Sequence, residues 1–151
     1  MADIVSPAKR SQMMSGIRST NTNPEIVVRK LLHKEGFRYK LHDKSLPGKP
    51  DLVFQKYEAV IQIHGCFWHG HNCHLFKRPS SNVEFWQQKI SMNVKRDRQT
   101  NYRLQQAGWR VMTIWECAVK GKTKLDQNSV VKICRSWLLS SNSTKEIRGN
   151  E

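Results

Sequence analysis

Residues 65–79 constrain this chain more than any other stretch, because they carry Cys66 and Cys73, His69, His71 and His74, and the rings of Phe67, Trp68 and Phe76 without a helical or strand period. A segment of that composition cannot be ordered by burying one apolar face. Cys66, His71 and Cys73 are spaced C-x4-H-x-C, and Cys117 follows shortly after an apolar run that reads as a strand. Thiolate and imidazole suit Zn²⁺ in tetrahedral geometry, so three ligands from the loop and one from a strand end would tie loop to sheet. Four protein ligands leave no position for water, which makes such a zinc structural. Taken singly, Cys66 and Cys117 also read as small buried residues with His71 and Cys73 incidental; His74 is the substitute ligand if His71 is not one. Cys134 sits among apolar residues and reads as buried.

The rest of the composition narrows the partner. The chain has 151 residues, and 26 Lys+Arg against 12 Asp+Glu give a formal charge of +14. That length suits one domain with its own core. Five Trp and five Phe are too many for a disordered polycation, and no apolar run approaches a membrane span. Charge of this sign favours a polyanion, nucleic acid being the commonest. The residues Met1-Ala2-Asp3-Ile4-Val5-Ser6-Pro7 lack the basic-then-apolar pattern of a secretory signal, pointing to the cytoplasm, where thiols stay reduced.

Ser6-Pro7 opens a short helix through about residue 17, whose Lys9, Arg10 and Arg18 suit a phosphate-contacting arm over residues 1–20. A second helix spans about 24–34, with Asn23 as its cap, Glu25 at the positive end of its dipole and Gly36 as its stop. Residues 37–41 alternate as a strand. Residues 51–54 and 59–64 form a β-hairpin, so Asp51 and His64 come to the same end of an antiparallel pair. A long helix over 82–106, a strand over 109–115 and a helix over 127–139 complete an α/β layer pattern within residues 21–139. Residues 140–151, rich in Ser, Asn and charge, are expected to be disordered.

A nuclease needs a hard carboxylate for Mg²⁺, a group that takes a proton from water and positive charge near the phosphate. Pro50-Asp51 followed by Gln62-Ile63-His64 has the layout of the PD…(D/E)-x-K signature, with Gln62 standing where it wants an acid and His64 where it wants Lys. An imidazole mechanism fits better than one built on two carboxylates and a lysine. His69 is a candidate for that imidazole. Asp97 shares one stripe of the long helix with Trp86, Ile90, Val94 and Leu104, and an acid there needs a partner. Two remain open: the imidazole, or an ion pair with Lys95, Arg96 or Arg98.

The blocks from Asp43 to Asp51 and from His64 to Cys73, Glu84-Phe85-Trp86 with Asn93-Val94-Lys95-Arg96-Asp97, and Gly108-Trp109-Arg110-Val111 through Trp115-Glu116-Cys117 resemble the very-short-patch DNA mismatch repair endonucleases. The resemblance runs from Ser6 to about Leu139. It implies a restriction-endonuclease-like α/β fold, a mixed sheet flanked by helices with a structural zinc. It implies a Mg²⁺-dependent nick on the 5′ side of the thymine in a T:G mismatch, the lesion left by deaminated 5-methylcytosine. Position by position it makes Asp51 a Mg²⁺ ligand, His69 the general base, Asp97 its support and His64 an aid at the phosphate. Glu25 joins that site through a water or a histidine. Ile63 stands where a hydroxyl-bearing residue is expected; a backbone-carbonyl ligand survives the change, whereas a side-chain oxygen would be lost.

Apolar wedges between base pairs kink DNA at a cost that falls where pairing is weak. Phe67 and Trp68, crowded into a polar loop, are read as exposed wedges; Trp86 stands between wedge and inward stripe, and Trp109 and Trp115 are read as core. The resemblance adds an N-terminal helix, carrying Met13 and Met14, that approaches from the minor groove. Lys89, Lys95, Arg96 and Arg98 offer phosphate contacts. The expected partner is double-stranded DNA with a T:G mismatch, bound by a monomer, with downstream repair proteins following. Two other functions compete: a zinc-stabilised, non-cutting binder of distorted DNA, and a restriction-like nuclease that cuts both strands.

Overall fold

The computed structural model describes residues 21–150. The expected helix at residues 6–17, and Met14 with it, lie outside them. Along the described chain run α1 (Asn23–Lys34), β1 (Lys40–Leu41), β2 (Leu52–Phe54), β3 (Ala59–His64), α2 (Val83–Gln106), β4 (Arg110–Trp115), α3 (Gln127–Leu138) and β5 (Thr144–Ile147). The strands form one sheet in the order β1-β2-β3-β4-β5, antiparallel from β1 to β3 and parallel from β3 to β5. The element pattern predicts the α/β layering, and the mixed sheet flanked by helices is the one the resemblance implies.

The ends of the elements follow from local chemistry. Thr22, one residue earlier than the expected Asn23, caps α1 by accepting the Glu25 N–H at 3.4 Å; the β-branched hydroxyl does what either side chain could. Asp126 caps α3, accepting from the Asn128 N–H at 3.1 Å and the Ser129 hydroxyl at 2.8 Å. The β2–β3 hairpin turns through a 3₁₀ segment, Gln55–Tyr57, and Glu58 at φ 49°.

Strand alternation sorts the sheet into two faces. Leu52, Phe54, Ala59, Ile61, Met112 and Ile114 face α1 and α3, where Val28, Leu32, Val130, Cys134, Trp137 and Leu138 complete the main core. Val53, Val60 and Val111 face α2 and its Leu104. Toward the carboxyl ends of β3 and β4 this second face changes character, since Gln62 and His64 alternate with Ile61 and Ile63, and Thr113 and Trp115 with Met112 and Ile114. A polar patch at the carboxyl end of parallel strands, roofed by a helix, is where open α/β sheets bind ligands.

Two expectations are corrected. The predicted strand at 37–41 shrinks to Lys40–Leu41, because Phe37 turns into the main core against Phe54 and Tyr57 instead of pairing. The expected disordered tail from residue 140 is ordered over Thr144–Ile147, which pairs with β4 and buries Ile147. An exposed β4 edge supplies the hydrogen bonds that the tail's composition does not advertise. Beyond it, Arg148 donates to the Asn72 carbonyl at 2.7 Å and Asn150 N–H to the Thr123 carbonyl at 2.7 Å, so the tail straps the Cys/His loop.

Candidate active site and metal centre

A cavity of about 400 Å³ opens beneath α2 at the carboxyl end of β3, lined among others by Asp51, Gln62, His64, His69, Arg96 and Asp97. The hairpin brings Asp51 here, as its antiparallel register requires, and Asp51 Oδ2 accepts the Ile63 N–H at 2.8 Å. Burial pushes the Asp51 carboxyl up to about 7; the nearby Glu25 carboxylate acts in the same sense, and the Ile63 N–H opposes both.

Glu25 is more than a helix-dipole residue. It is 1% exposed, and Oε2 meets His42 Nε2 at 2.8 Å and Arg29 at 2.9 Å, while Oε1 accepts the Asn21 N–H at 3.1 Å. His42 Nε2 also lies 3.9 Å from Asp51 Oδ1, so Glu25, His42 and Asp51 form one group whose ligand atoms can converge on a metal ion. His42 was missed by sequence reasoning, since nothing in its neighbourhood marks it. It sits at φ 48° in the bend after β1, a position visible only in three dimensions.

The other side of the cavity is an imidazole pair. His69 Nδ1 lies 2.6 Å from Asp97 Oδ2, which makes the imidazole the partner Asp97 takes of the two left open. An ionised carboxylate accepts from Nδ1–H and leaves Nε2 as the bare, basic nitrogen. The His69 ring stacks on His64 with centroids 3.8 Å apart and planes within 1°. Burial drives the His64 pKa down to about 3, with proximity to His69 adding to the effect, so this imidazole is neutral. One helical turn before Asp97, the Asn93 side chain donates to the Trp68 carbonyl at 2.9 Å and pins the loop to α2. Gly70, at φ +63°, permits that approach, because a Cβ there would meet Ile90 at 2.9 Å and Val94 at 3.2 Å.

Cys66, His71, Cys73 and Cys117 offer one ligand atom each, all within 4.8 Å of one another. His71 Nδ1 is 3.5 Å from Cys66 Sγ and 3.6 Å from Cys117 Sγ. Burial raises the Cys66 and Cys117 thiols above their ordinary range. Glu116 Oε1 accepts the Cys66 N–H at 3.1 Å, and the tail's Gly149 N–H points at Cys117 Sγ at 3.3 Å. The alternative ligand, His74, lies outside the group, its Nδ1 3.4 Å from the Thr123 hydroxyl. Cys134 is buried as expected.

Trp115 departs from its core reading. It is only partly buried, stacks on His71 at 4.0 Å and 11°, makes a T-shaped contact with His64 at 5.5 Å, and donates from Nε1 to Glu146 Oε1 at 3.0 Å. One indole therefore spans the Cys/His cluster, the imidazole pair and β5. Phe67, Trp68 and Trp86, all partly exposed, pack on one another at centroid distances of 5.4 to 5.7 Å, and Phe85 beside them is 57% exposed. Arg96 lines the cavity, whereas Lys89 is exposed on α2.

Residues 2–75 match the family model described as DNA mismatch endonuclease Vsr. The chain is 42% identical over 147 residues to the DNA mismatch endonuclease Vsr of Escherichia coli, covering 97% of this chain and 94% of that one. It is 47% identical over 122 residues to the type II nicking enzyme V.NmeAIP of Neisseria meningitidis, covering 81% and 87% respectively. With the type II nicking enzyme V.XorIIP of Xanthomonas oryzae pv. oryzae the identity is 46% over 117 residues, covering 78% and 86%.

Proposed function

The chain belongs to the Vsr family of DNA mismatch endonucleases, and from that premise we propose that it makes a Mg²⁺-dependent nick in one strand of duplex DNA, on the 5′ side of the thymine in a T:G mismatch. The observation that carries this reading is the Asp97-supported His69, stacked on a neutral His64 in the cavity that also holds Asp51.

The donor set fits a hard divalent cation, since a buried carboxylate raised toward neutrality is relieved by a positive ion beside it. Asp51 and the Ile63 carbonyl would hold Mg²⁺, which when bound stabilises charge on the phosphate and acidifies water. His69 Nε2 takes the proton of the attacking water, and Asp97 stabilises the resulting imidazolium. His64, neutral at working pH, donates a hydrogen bond to the phosphate. Arg96 offsets phosphate charge at the cavity, and Lys89 does so farther along α2. Glu25, through His42, stands behind Asp51. A restriction-endonuclease-like architecture, which the family implies, would suit this division between strand-borne ligand and loop-borne base.

The Cys₃His group fits zinc in a structural role. Bond lengths of about 2.3 Å to sulfur and about 2.0–2.1 Å to nitrogen put S and N roughly 3.6 Å apart around a tetrahedral ion, which matches the 3.5 and 3.6 Å found. The loop thus anchored presents Phe67 and Trp68, with Trp86, as a wedge. Unstacking costs least at a weak pair, so the wedge supplies discrimination.

The test is a strand-resolved assay on end-labelled duplexes that differ only in a T:G or T:A pair, with Mg²⁺ or EDTA. A Mg²⁺-dependent nick confined to the thymine strand of the T:G duplex is expected. Binding without a nick would identify a non-catalytic reader of distorted DNA, and cutting of both strands in both duplexes a restriction-like nuclease.

A further inference from the structure

Gln62 is the buried polar side chain at this site that the proposed chemistry leaves unused. It is 5% exposed, and its Oε1 is buried without a hydrogen-bond partner among the described residues. Val60 and Ile61 beside it show that apolar side chains fit this strand. An acceptor left unmade at such depth is costly, so its retention calls for a donor that arrives with a ligand. The cavity supplies the direction, because Gln62 and Asp51 both line it. The β2–β3 pairing reaches Leu52↔Ile61, and one residue further along these antiparallel strands stand Asp51 and Gln62, on the face turned toward α2.

We propose that Gln62 Oε1 belongs to the divalent-cation site, accepting a hydrogen bond from a water coordinated to the ion held at Asp51. The inference rests on the reading of Asp51 as metal ligand and adds a residue to it. A small hard cation keeps several of its waters, and each becomes a strong donor that needs an acceptor. A carboxamide oxygen meets that need without a further negative charge beside Asp51 and Glu25. Where the nuclease signature has an acid, this chain keeps the oxygen and drops the charge. Gln62 is thus a positioning residue, acting through bound water.

The experiment titrates Mn²⁺, followed by electron paramagnetic resonance with Mg²⁺ competition, into the full-length chain without DNA, alongside thermal melts in EDTA-treated buffer. Gln62→Leu should weaken Mn²⁺ binding roughly 10-fold, within the range for losing a partner of metal-bound groups. The same variant should melt no lower than the unaltered chain without added Mn²⁺, because it removes an unpaired acceptor. Gln62→Glu should bind Mn²⁺ more tightly than the unaltered chain, and Gln62→Met repeats the loss if the leucine packs poorly. Asp51→Asn separates the two readings. If it abolishes Mn²⁺ binding while all three Gln62 variants bind as the unaltered chain does, Gln62 has no part in the site. If Asp51→Asn binds as the unaltered chain does, or that chain shows no saturable Mn²⁺ site, the ion is not held at Asp51 and both readings fall.

Discussion

Replacing Asp97 with Asn tests the catalytic reading most directly. Asp97 Oδ2 lies 2.6 Å from His69 Nδ1, and both side chains are about one quarter exposed; hydrogen bonds to an ionised carboxylate are shorter and stronger than neutral ones. The substitution preserves shape and removes the charge that stabilises an imidazolium once His69 has taken a proton. A hydrogen bond to a charged group contributes about 1.5–3 kcal/mol, and at about 1.4 kcal/mol per decade the nicking rate should fall roughly 10- to 150-fold. The loss is larger if the amide turns its NH₂ toward Nδ1, because the imidazole then carries its proton on Nε2 and cannot act as base. Single-turnover nicking of an end-labelled T:G duplex at saturating Mg²⁺ reads the chemical step, and duplex affinity should be unchanged. In a His69→Ala background Asp97→Asn should cost nothing further, since its effect passes through that ring. An unchanged rate in the single variant, or an equal loss in both backgrounds, would refute the reasoning.

Three other outcomes follow from the same geometry. Cys117→Ser removes one of the Cys₃His ligands and should release about one equivalent of zinc in a colorimetric chelator assay, with a melting temperature lower by at least about 5 °C; a zinc-free variant as stable and active as the parent would end the structural-zinc assignment. The double change Phe67→Ala and Trp68→Ala should reduce the ratio of T:G to T:A affinity by about 10-fold or more, since one aromatic stacking on a base contributes about 1–3 kcal/mol; an unaltered ratio in a competition gel shift returns both rings to the protein's own packing. Burial pushes the Cys134 thiol up to about 12, so at pH 8 it should resist iodoacetamide in the native chain and react only in denaturant, as read by peptide mass spectrometry. Alkylation of native Cys134 at the rate of an exposed thiol would contradict its burial.

Local signals carried much of this. The hairpin was legible because two apolar runs flank a polar turn, and the pairing Leu52↔Ile61 follows from it. The long helix was legible from its stripe, and Asp97 stood out there as the one acid among apolar positions. Corrections fall where a non-local contact overrode composition. The tail reads as polar and unpatterned, yet the open edge of β4 recruits it. Trp115 reads as core by its place on a strand, yet the polar patch at the strand end turns it into a bridge between His71 and His64. Phe37 reads as the first residue of a strand and instead plugs the core.

The sequence by itself determined which chemistry was available: a ligand group in a loop with nothing else to order it, a carboxylate and an imidazole at one end of a hairpin, and a basic surface for a polyanion. These are properties of residue type and short spacing, which the chain carries before it folds. Only the tertiary structure decided how the groups were shared out. It gave Asp97 to His69, set His42 between Glu25 and Asp51, strapped the thiol loop with the tail and left Gln62, a residue lining the cavity, with its buried oxygen lacking a donor among the described residues. The pairings among those outcomes join residues separated in the chain, and hydrogen-bond partners over such distances are chosen by packing two sheet faces against helices, which no local pattern encodes.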